Sequence, residues 1–251
     1  MSVNLRVNMS KQQITFRDIG LMDYQTAWDC QEKLLRENVR KKSLAYSQQQ
    51  GIVSNELPTQ HYLLFTEHPP VYTLGKSGSM ENVLLAGDEL KKKGIEFFHT
   101  NRGGDITFHG PGKVVGYPIL DLEKFETDIG KYLRRIEEVI ILTLTEYGIE
   151  GRRSAGETGV GIEPGLPGRE RKICAIGVRC SRWITMHGFA FNVNTDLSYF
   201  NHIIPCGISN KQVTSLQKEL GSAADMEAVK MSLKKNFERV FDAELLSEVF
   251  F

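Results

Sequence analysis

Twelve residues near the middle of the chain decide the fold: Arg102-Gly103-Gly104-Asp105-Ile106-Thr107-Phe108-His109-Gly110-Pro111-Gly112-Lys113. Glycine adopts positive φ without strain and lets a ligand approach the backbone closely. Apolar runs at 95–100 and 114–122 flank the stretch, so its glycines are predicted to turn at the rim of a sheet, with a short strand at 106–108. A ligand-lining role and a purely structural hairpin both remain open, and the density of glycine favours the first. The stretch is not a P-loop, because no Gly-Lys-Ser/Thr follows at the required spacing.

Composition narrows the class of protein. The 251 residues are 41% hydrophobic and 25% charged, which are ordinary values for a globular protein. The 31 basic and 31 acidic residues balance, so no net field attracts nucleic acid or a membrane surface. No apolar run is long enough for a membrane helix, and the first residues lack the apolar core of a signal peptide. We therefore expect a cytoplasmic protein.

Apolar periodicity predicts the elements. Strands are predicted at 14–19, 61–67, 71–74, 95–100, 149–152, 159–163, 172–179 and 183–194. Helices are predicted from an N-cap at Asp23 to about residue 45, at 88–93, from Asp128 to Gly148, around 213–220 and over 226–240. The stretches 51–60 and 200–209 are predicted to be a linker and a loop. With no Gly/Ser linker to divide it, the chain is expected to form a single α/β (α+β) domain over 1–251, with 1–13 as a mobile arm.

Cys206 is a candidate nucleophile, because Pro205 fixes the approach of the chain and Gly207 leaves room beside the sulfur. The alternative is a buried structural cysteine, which is the favoured interpretation of Cys30, Cys174 and Cys180. The four cysteines have irregular spacing and no CxxC pair, which argues against a zinc ribbon or a disulfide framework.

A catalytic thiol needs an activating group, since few thiols are ionised at neutral pH. Histidine is the usual partner, and His109, His187 and His202 are candidates. Lys172, at the start of an apolar strand, is a less common kind of activator, although a lysine there is more often a solvated edge residue. The residues alone therefore suggest thiol chemistry only weakly, and no set of side chains has convincing metal-ligand spacing.

Six segments together resemble one family, the octanoyl-[acyl-carrier-protein]:protein N-octanoyltransferases of lipoate biosynthesis. They are EHPPVYTLG (67–75), RGGDITFHGPG (102–112), GYPILDL (116–122), KICAIGVR (172–179), HGFAFNVN (187–194) and PCGI (205–208). Each segment alone would be weak, but in this order they are highly specific. Lys113 departs from the resemblance, since the family usually has glutamine there, and we expect this to change only a contact at the pocket rim.

The resemblance implies a mixed β-sheet flanked by helices, as in the catalytic core of lipoate and biotin protein ligases. By matching position, Cys206 carries the acyl group as a thioester and Lys172 lowers the pKa of that thiol. The segments implied to bind the substrate are Arg102, Gly103, Gly104, Asp105, Ile106, Thr107, Phe108, His109, Ala175, Ile176, Gly177, Gly188, Phe189 and Ala190. The glycines among them are expected to pack main chain against the acyl chain and to offer N–H donors to its carbonyl.

The implied partners are octanoyl-acyl carrier protein as donor, with lipoyl domains of 2-oxoacid dehydrogenase complexes and the glycine cleavage H protein as acceptors. No cofactor, metal, nucleic acid or membrane is expected, and we expect a monomer. Two alternatives stay open: an ATP-dependent lipoate or biotin protein ligase of the same fold, and a non-enzymatic acyl-binding module. Four arginines, at 152, 153, 169 and 171, are candidate contacts for an acidic carrier protein, although exposed arginines are more often simply solvated.

Overall fold

The structure is a computed structural model that describes residues 11–48, 58–204 and 212–247. Its main feature is a large mixed sheet with the order β12-β1-β2-β6-β10-β9-β8-β7, and β11 lies beside β9. Its strands are β1 (Gln12–Leu21), β2 (His61–Glu67), β6 (Lys113–Ile119), β7 (Gly151–Arg152), β8 (Val160–Ile162), β9 (Arg171–Ser181), β10 (Ile184–Asn192), β11 (Gln212–Val213) and β12 (Ala243–Ser247). β1 runs parallel to both β2 and β12, and β2, β6, β10 and β9 alternate in direction.

Helices cover both faces of the large sheet. The helices of the described chain are α1 (Tyr24–Gln48), α2 (Gly87–Lys92), α3 (Ile129–Glu146), α4 (Leu216–Leu220) and α5 (Met226–Phe241), of which α2 packs against the small sheet described below. α1 packs its Ala27, Leu34 and Leu35 on one face, against a cluster that includes Val115 and Ala190. α3 and α5 pack on the other face with the larger apolar cluster. Because both faces are covered, the central strands β6 and β10 are buried along their whole length.

A second, smaller sheet has the order β4-β3-β5, formed by β3 (Val71–Leu74), β4 (Glu96–His99) and β5 (Ile106–His109). A third apolar cluster packs beneath it and includes Tyr72, Phe108 and Phe200. The stretch 100–105 connects β4 to β5 and therefore leaves this small sheet toward the large one. No helix in the described part of the chain has the length and apolar character needed to cross a membrane.

The predicted mixed sheet with flanking helices is confirmed, and most predicted elements are present within a few residues. The cap residues explain why: Asp23 accepts a hydrogen bond from the Thr26 N–H, Asp128 accepts one from the Lys131 N–H, and Gly148 turns with φ of 73° after α3.

Four predictions need correction. The loop expected at 200–209 begins inside a 3₁₀ helix, Leu197–His202. Val213 belongs to β11 instead of the helix that follows it. β12 was not predicted, because its strand character depends on pairing with β1. β1 starts at Gln12, inside the stretch expected to be a mobile arm. Residues 1–10, and the linker up to residue 57, lie outside the described residues.

Candidate functional site

The glycine-rich stretch ties the two sheets together. The Gly103 N–H donates to the Val178 carbonyl of β9 at 2.9 Å. On its other side, the Lys76 and Ser77 N–H groups, which follow β3, donate to the carbonyls of Arg102 and Gly104 at 3.0 and 3.1 Å. The backbone of 102–104 is therefore held at three points between the sheets, and its position depends on both.

Arg102 fixes the loop from inside. Its guanidinium is buried and donates through Nη2 to the Thr73 carbonyl at 2.6 Å and to Thr73 Oγ1 at 3.0 Å. Thr73 Oγ1 lies in turn 3.2 Å from His109 Nε2. Burial lowers the pKa of His109 well below its usual range, so the imidazole is neutral. The buried Arg102 side chain thus holds the loop in place through Thr73. The neutral His109 ring contacts the same threonine.

Small residues allow the loop to approach β9 and β10. A Cβ atom added to Gly177 would lie 2.6 Å from the Gly103 carbonyl oxygen, closer than real Cβ contacts. Gly177 pairs with Gly188, and Ala175 pairs with Ala190, in the β9–β10 ladder. Backbone carbonyls of neighbouring segments occupy the places that side chains at Gly177 and Gly188 would take, whereas the small Ala175 and Ala190 leave space beside the loop.

That space is a cavity of about 530 Å³ between the loop, the small sheet and the strands β6, β9 and β10. Almost all of the predicted substrate-binding residues line it: Arg102, Gly103, Gly104, Asp105, Ile106, Thr107, His109, Ala175, Ile176, Gly177, Gly188, Phe189 and Ala190. Lys172 lines the same cavity. The structure therefore brings together three segments that are distant in sequence.

Phe108 is the exception, because it does not belong to the cavity wall. It is buried in the cluster beneath the small sheet, where its ring stacks on Tyr199 at a centroid distance of 4.4 Å. Its neighbours Thr107 and His109 line the cavity. Phe108 therefore lies outside the cavity wall, although it was predicted to bind the substrate together with its neighbours.

The cavity extends along β10. Asn192 and His187 both line it, five residues apart, which corresponds to about 17 Å of strand. Near Asn192, the Lys172 side chain is 18% exposed, whereas His187 at the other end is only 1% exposed. Gly104, in the loop, is also exposed. Solvent therefore reaches the cavity wall at Lys172 and at Gly104.

The side chain and the backbone carbonyl of Lys172 each form a hydrogen bond to a neighbouring residue. Its Nζ donates to Glu157 Oε2 at 3.3 Å, and Glu157 also lines the cavity. Its carbonyl accepts the Thr214 N–H at 2.9 Å, next to the pairing of β9 with Val213 in β11. Lys172 and Glu157 therefore form an ion pair in the cavity wall.

Asn192 presents an unsatisfied acceptor at the Lys172 end of the cavity. Its Nδ2 donates to the Thr214 carbonyl at 2.9 Å, which fixes the orientation of the amide. Its Oδ1 is buried and has no hydrogen-bond partner in the part of the chain that the structure describes. Sequence reasoning missed both Asn192 and Glu157. A polar residue within the apolar run 189–193 was the available signal for Asn192, whereas nothing local marks Glu157.

Lys113 is wholly buried, so the expectation of a rim contact is wrong. Its Nζ donates a short hydrogen bond to the Phe108 carbonyl and lies 5.0 Å from the centre of the Phe200 ring. Burial lowers the pKa of Lys113 to about 7. The cavity wall thus contains an amine that can be neutral near physiological pH.

His187 lines the cavity at the end far from Lys172. Asn101 donates through Nδ2 to Glu32 at 3.1 Å, so its Oδ1 must accept from His187 Nε2, 2.7 Å away. His187 Nδ1 is then a buried acceptor without a partner. Burial lowers the pKa of His187 to about 3, so the ring is neutral. Its φ of 58° is unusual for a non-glycine residue, as is common at functional sites.

The cysteines divide into three buried or half-buried thiols and one outside the described residues. Cys30, Cys174 and Cys180 are free thiols. Burial raises the pKa of Cys174 to about 12, which makes it inert, as expected of core filler. Cys206 lies outside the described residues. The chain on its two sides contacts the cavity, because Phe200 and Val213 both belong to the wall.

The four arginines considered for carrier docking are engaged in ion pairs. Arg152 pairs with Glu150, Arg153 with Glu137 and Glu138, and both Arg169 and Arg171 with Glu163. Their charge is therefore largely offset by neighbouring carboxylates.

Comparison with known proteins identifies relatives of this chain. The family model described as the lipoyl protein ligase A/B catalytic domain matches residues 23–238. An octanoyltransferase of Christiangramia forsetii is 55% identical over 235 residues, which cover 93% of this chain and 98% of that protein. The octanoyltransferase of Flavobacterium johnsoniae is also 55% identical, over 94% of this chain and 99% of its own length. The chain belongs to the octanoyltransferase family. It is accordingly an acyltransferase enzyme.

Solved structures share the fold of this octanoyltransferase family member. A bipartite lipoate protein ligase from Thermoplasma acidophilum superposes with a TM-score of 0.67 at 17% identity, covering 96% of this chain and 88% of that one. A lipoate-protein ligase A bound with ATP gives a TM-score of 0.65 at 14% identity, covering 97% and 90%. At these identities the likeness concerns the fold alone, and it matches the expected architecture.

Proposed function

We propose that this chain transfers an octanoyl group from acyl carrier protein to the ε-amine of a lysine on a lipoyl domain, through a thioester on Cys206. The observation that carries the proposal is the cavity of about 530 Å³ with the partly exposed Lys172 in its wall. An acyl chain fits along the small side chains of β9 and β10, and its carbonyl then lies beside Lys172, where solvent has access.

In the first step, the thiolate of Cys206 attacks the thioester carbonyl of the donor. A new carbon–sulfur bond forms, the old one breaks, and the carrier thiolate leaves with the electron pair. One thioester replaces another, so the exchange is nearly balanced and needs no ATP. The role of Lys172 is to stabilise the Cys206 thiolate. The Glu157 carboxylate pairs with its Nζ at 3.3 Å and holds the side chain in the cavity wall.

In the second step, the amine nitrogen attacks the enzyme-bound thioester. A carbon–nitrogen bond forms, the carbon–sulfur bond breaks, and the proton lost by nitrogen passes to the departing sulfur. This step is downhill because an amide replaces a thioester. The proposed acceptors are lipoyl domains of 2-oxoacid dehydrogenase complexes and the glycine cleavage H protein, and the enzyme acts as a monomeric single domain in the cytoplasm.

The acyl chain gains its affinity from burial. Removal of a CH₂ group from water contributes about 0.8 kcal/mol, so an eight-carbon chain can gain several kcal/mol. The small side chains of Ala175 and Ala190 leave room for it in the cavity wall. The expected donation from Gly103 is not available, because its N–H is already bonded to Val178.

Intact-mass spectrometry after incubation with octanoyl-acyl carrier protein, without ATP or magnesium, tests the proposal. We expect a covalent octanoyl adduct that is absent in Cys206→Ala and forms at least ~10-fold more slowly in Lys172→Ala at neutral pH, with partial recovery at higher pH. Strict dependence on ATP would indicate a ligase instead. Reversible binding with no adduct would indicate an acyl-binding module.

A further inference from the structure

Asn192 is a buried side chain with half of its hydrogen-bonding capacity unused. Its amide nitrogen is committed to the Thr214 carbonyl, its oxygen is buried with no hydrogen-bond partner among the described residues, and the residue belongs to the cavity wall. A buried acceptor without a donor is costly, so such atoms in native proteins usually have a partner that arrives from outside. The amide cannot turn over to avoid this cost, because an oxygen facing the Thr214 carbonyl would be repelled.

The position of this oxygen relative to Lys172 is set by one residue. Thr214 accepts from Asn192 through its carbonyl and donates to the Lys172 carbonyl through its N–H at 2.9 Å. Its hydroxyl donates to Glu219 at 2.5 Å, and Glu219 also holds Arg171 at 2.6 Å. Thr214 therefore braces β9 and β10 at the end of the cavity where Lys172 and Asn192 both reach it.

The chemistry of the second step calls for such an acceptor. An attacking amine must be neutral, and positive charge develops on its nitrogen as the new bond forms. A fixed carboxamide oxygen accepts one N–H of the amine, orients the lone pair toward the carbonyl and stabilises the developing charge.

We propose that Asn192 Oδ1 receives an N–H of the incoming lysine amine and so positions the nucleophile for attack on the acyl-enzyme. This inference rests on the proposed function. Asn192 gains and loses no proton: the carbon–nitrogen bond forms, the carbon–sulfur bond breaks, and the proton leaves nitrogen for sulfur. Asn192 therefore contributes to transfer of the octanoyl group from Cys206 to the acceptor amine and not to loading of Cys206 from acyl carrier protein.

The test measures the two half-reactions separately in the full-length protein. Loading is followed as the appearance of the octanoyl adduct from octanoyl-acyl carrier protein, and transfer as its decay in a single turnover with a lipoyl domain. For Asn192→Ala we expect transfer to slow about 10- to 100-fold while loading changes less than about threefold. The transfer rate of Asn192→Asp, divided by that of the unaltered protein at the same pH, should rise as the pH is lowered, because a protonated carboxyl can donate to the Thr214 carbonyl and leave its other oxygen facing the amine.

Asn194→Ala is the matched control. Asn194 is a neighbouring amide that bonds to Ala224 and is not part of the cavity wall. Its variant should leave the ratio of the two half-reactions unchanged. Equal slowing of loading and transfer in Asn192→Ala would assign the residue a purely structural role and overturn the inference, as would transfer at the wild-type rate. Absence of any adduct in the unaltered protein would instead refute the proposed function.

Discussion

At the scale of single residues, Lys113 is the least expected feature of the site. Within the described part of the chain its amine meets a backbone carbonyl and two aromatic rings, and no carboxylate pairs with it. Transfer of an ammonium ion into such surroundings is costly, and its pKa falls in response. The sequence indicates a departure from the family pattern at this position but cannot show the burial, which follows from packing of β6 against the 3₁₀ helix Leu197–His202.

This burial predicts a pH dependence of stability. The folded-state pKa of about 7 lies below the value near 10.5 of an exposed lysine. Between these pH values unfolding takes up a proton, so the free energy of unfolding rises with pH, by up to about 1.4 kcal/mol per pH unit from this group. Lys113→Gln should remove that slope, and denaturation by urea at pH 7, 8 and 9 measures it.

Lys92→Gln serves as the control, because Lys92 is exposed in α2. It should reproduce the pH dependence of the unaltered chain. If Lys113→Gln also reproduces it, then Lys113 is charged in the folded protein and the argument from burial fails.

At the scale of elements, the sequence pattern predicted the helices and strands whose formation depends on residues within the same segment. The α3 helix follows from its apolar stripe, its N-cap Asp128 and its terminating Gly148, all of which lie within the segment. β11 and β12 are different, since each becomes a strand only by pairing with a distant one. In the site, the resemblance identified Lys172 and the glycine-rich loop, whereas Glu157 and Asn192 reach the cavity through contacts that no spacing encodes.

The contact between the loop and β9 predicts the effect of one added methyl group. In Gly177→Ala, the new Cβ would lie 2.6 Å from the Gly103 carbonyl oxygen and 3.2 Å from Arg102 Cδ. We expect the free energy of unfolding to fall by about 1–3 kcal/mol, because overpacking displaces backbone. The rate of octanoyl loading should fall at least ~10-fold as the loop moves.

Gly87→Ala is the corresponding control, because its added Cβ would meet nothing within 4 Å. Its stability should change by less than about 0.5 kcal/mol and its loading rate should be unaffected. Similar losses in both variants would show that close approach at Gly177 is not the cause.

At the scale of the whole molecule, the cavity belongs to neither sheet alone. The small sheet contributes Ile106, Thr107 and His109, and the large sheet contributes Lys172 and the floor of alanine and glycine. The loop 102–104 bonds to both. An acyl chain in this cavity therefore contacts both sheets at once, and it should stabilise the molecule as a unit.

Acyl-enzymes of increasing chain length test this expectation. Each additional pair of buried CH₂ groups should add about 1.6 kcal/mol, which corresponds to a rise in Tm of a few degrees from butanoyl to hexanoyl and again to octanoyl. Differential scanning calorimetry of each adduct measures the rise. Cys206→Ala, treated with the same donors, should show no change. A Tm independent of chain length would mean that the chain remains in solvent.

The parallel pairing of β12 with β1 also bears on synthesis. β1 starts at Gln12 and its outer partner starts at Ala243, about 230 residues later. A chain that emerges from the ribosome N-terminus first must carry one unpaired edge of β1 through almost the entire period of translation. Unpaired edges invite association with other chains. Nascent chains of this protein are thus expected to depend on shielding of that edge until β12 arrives.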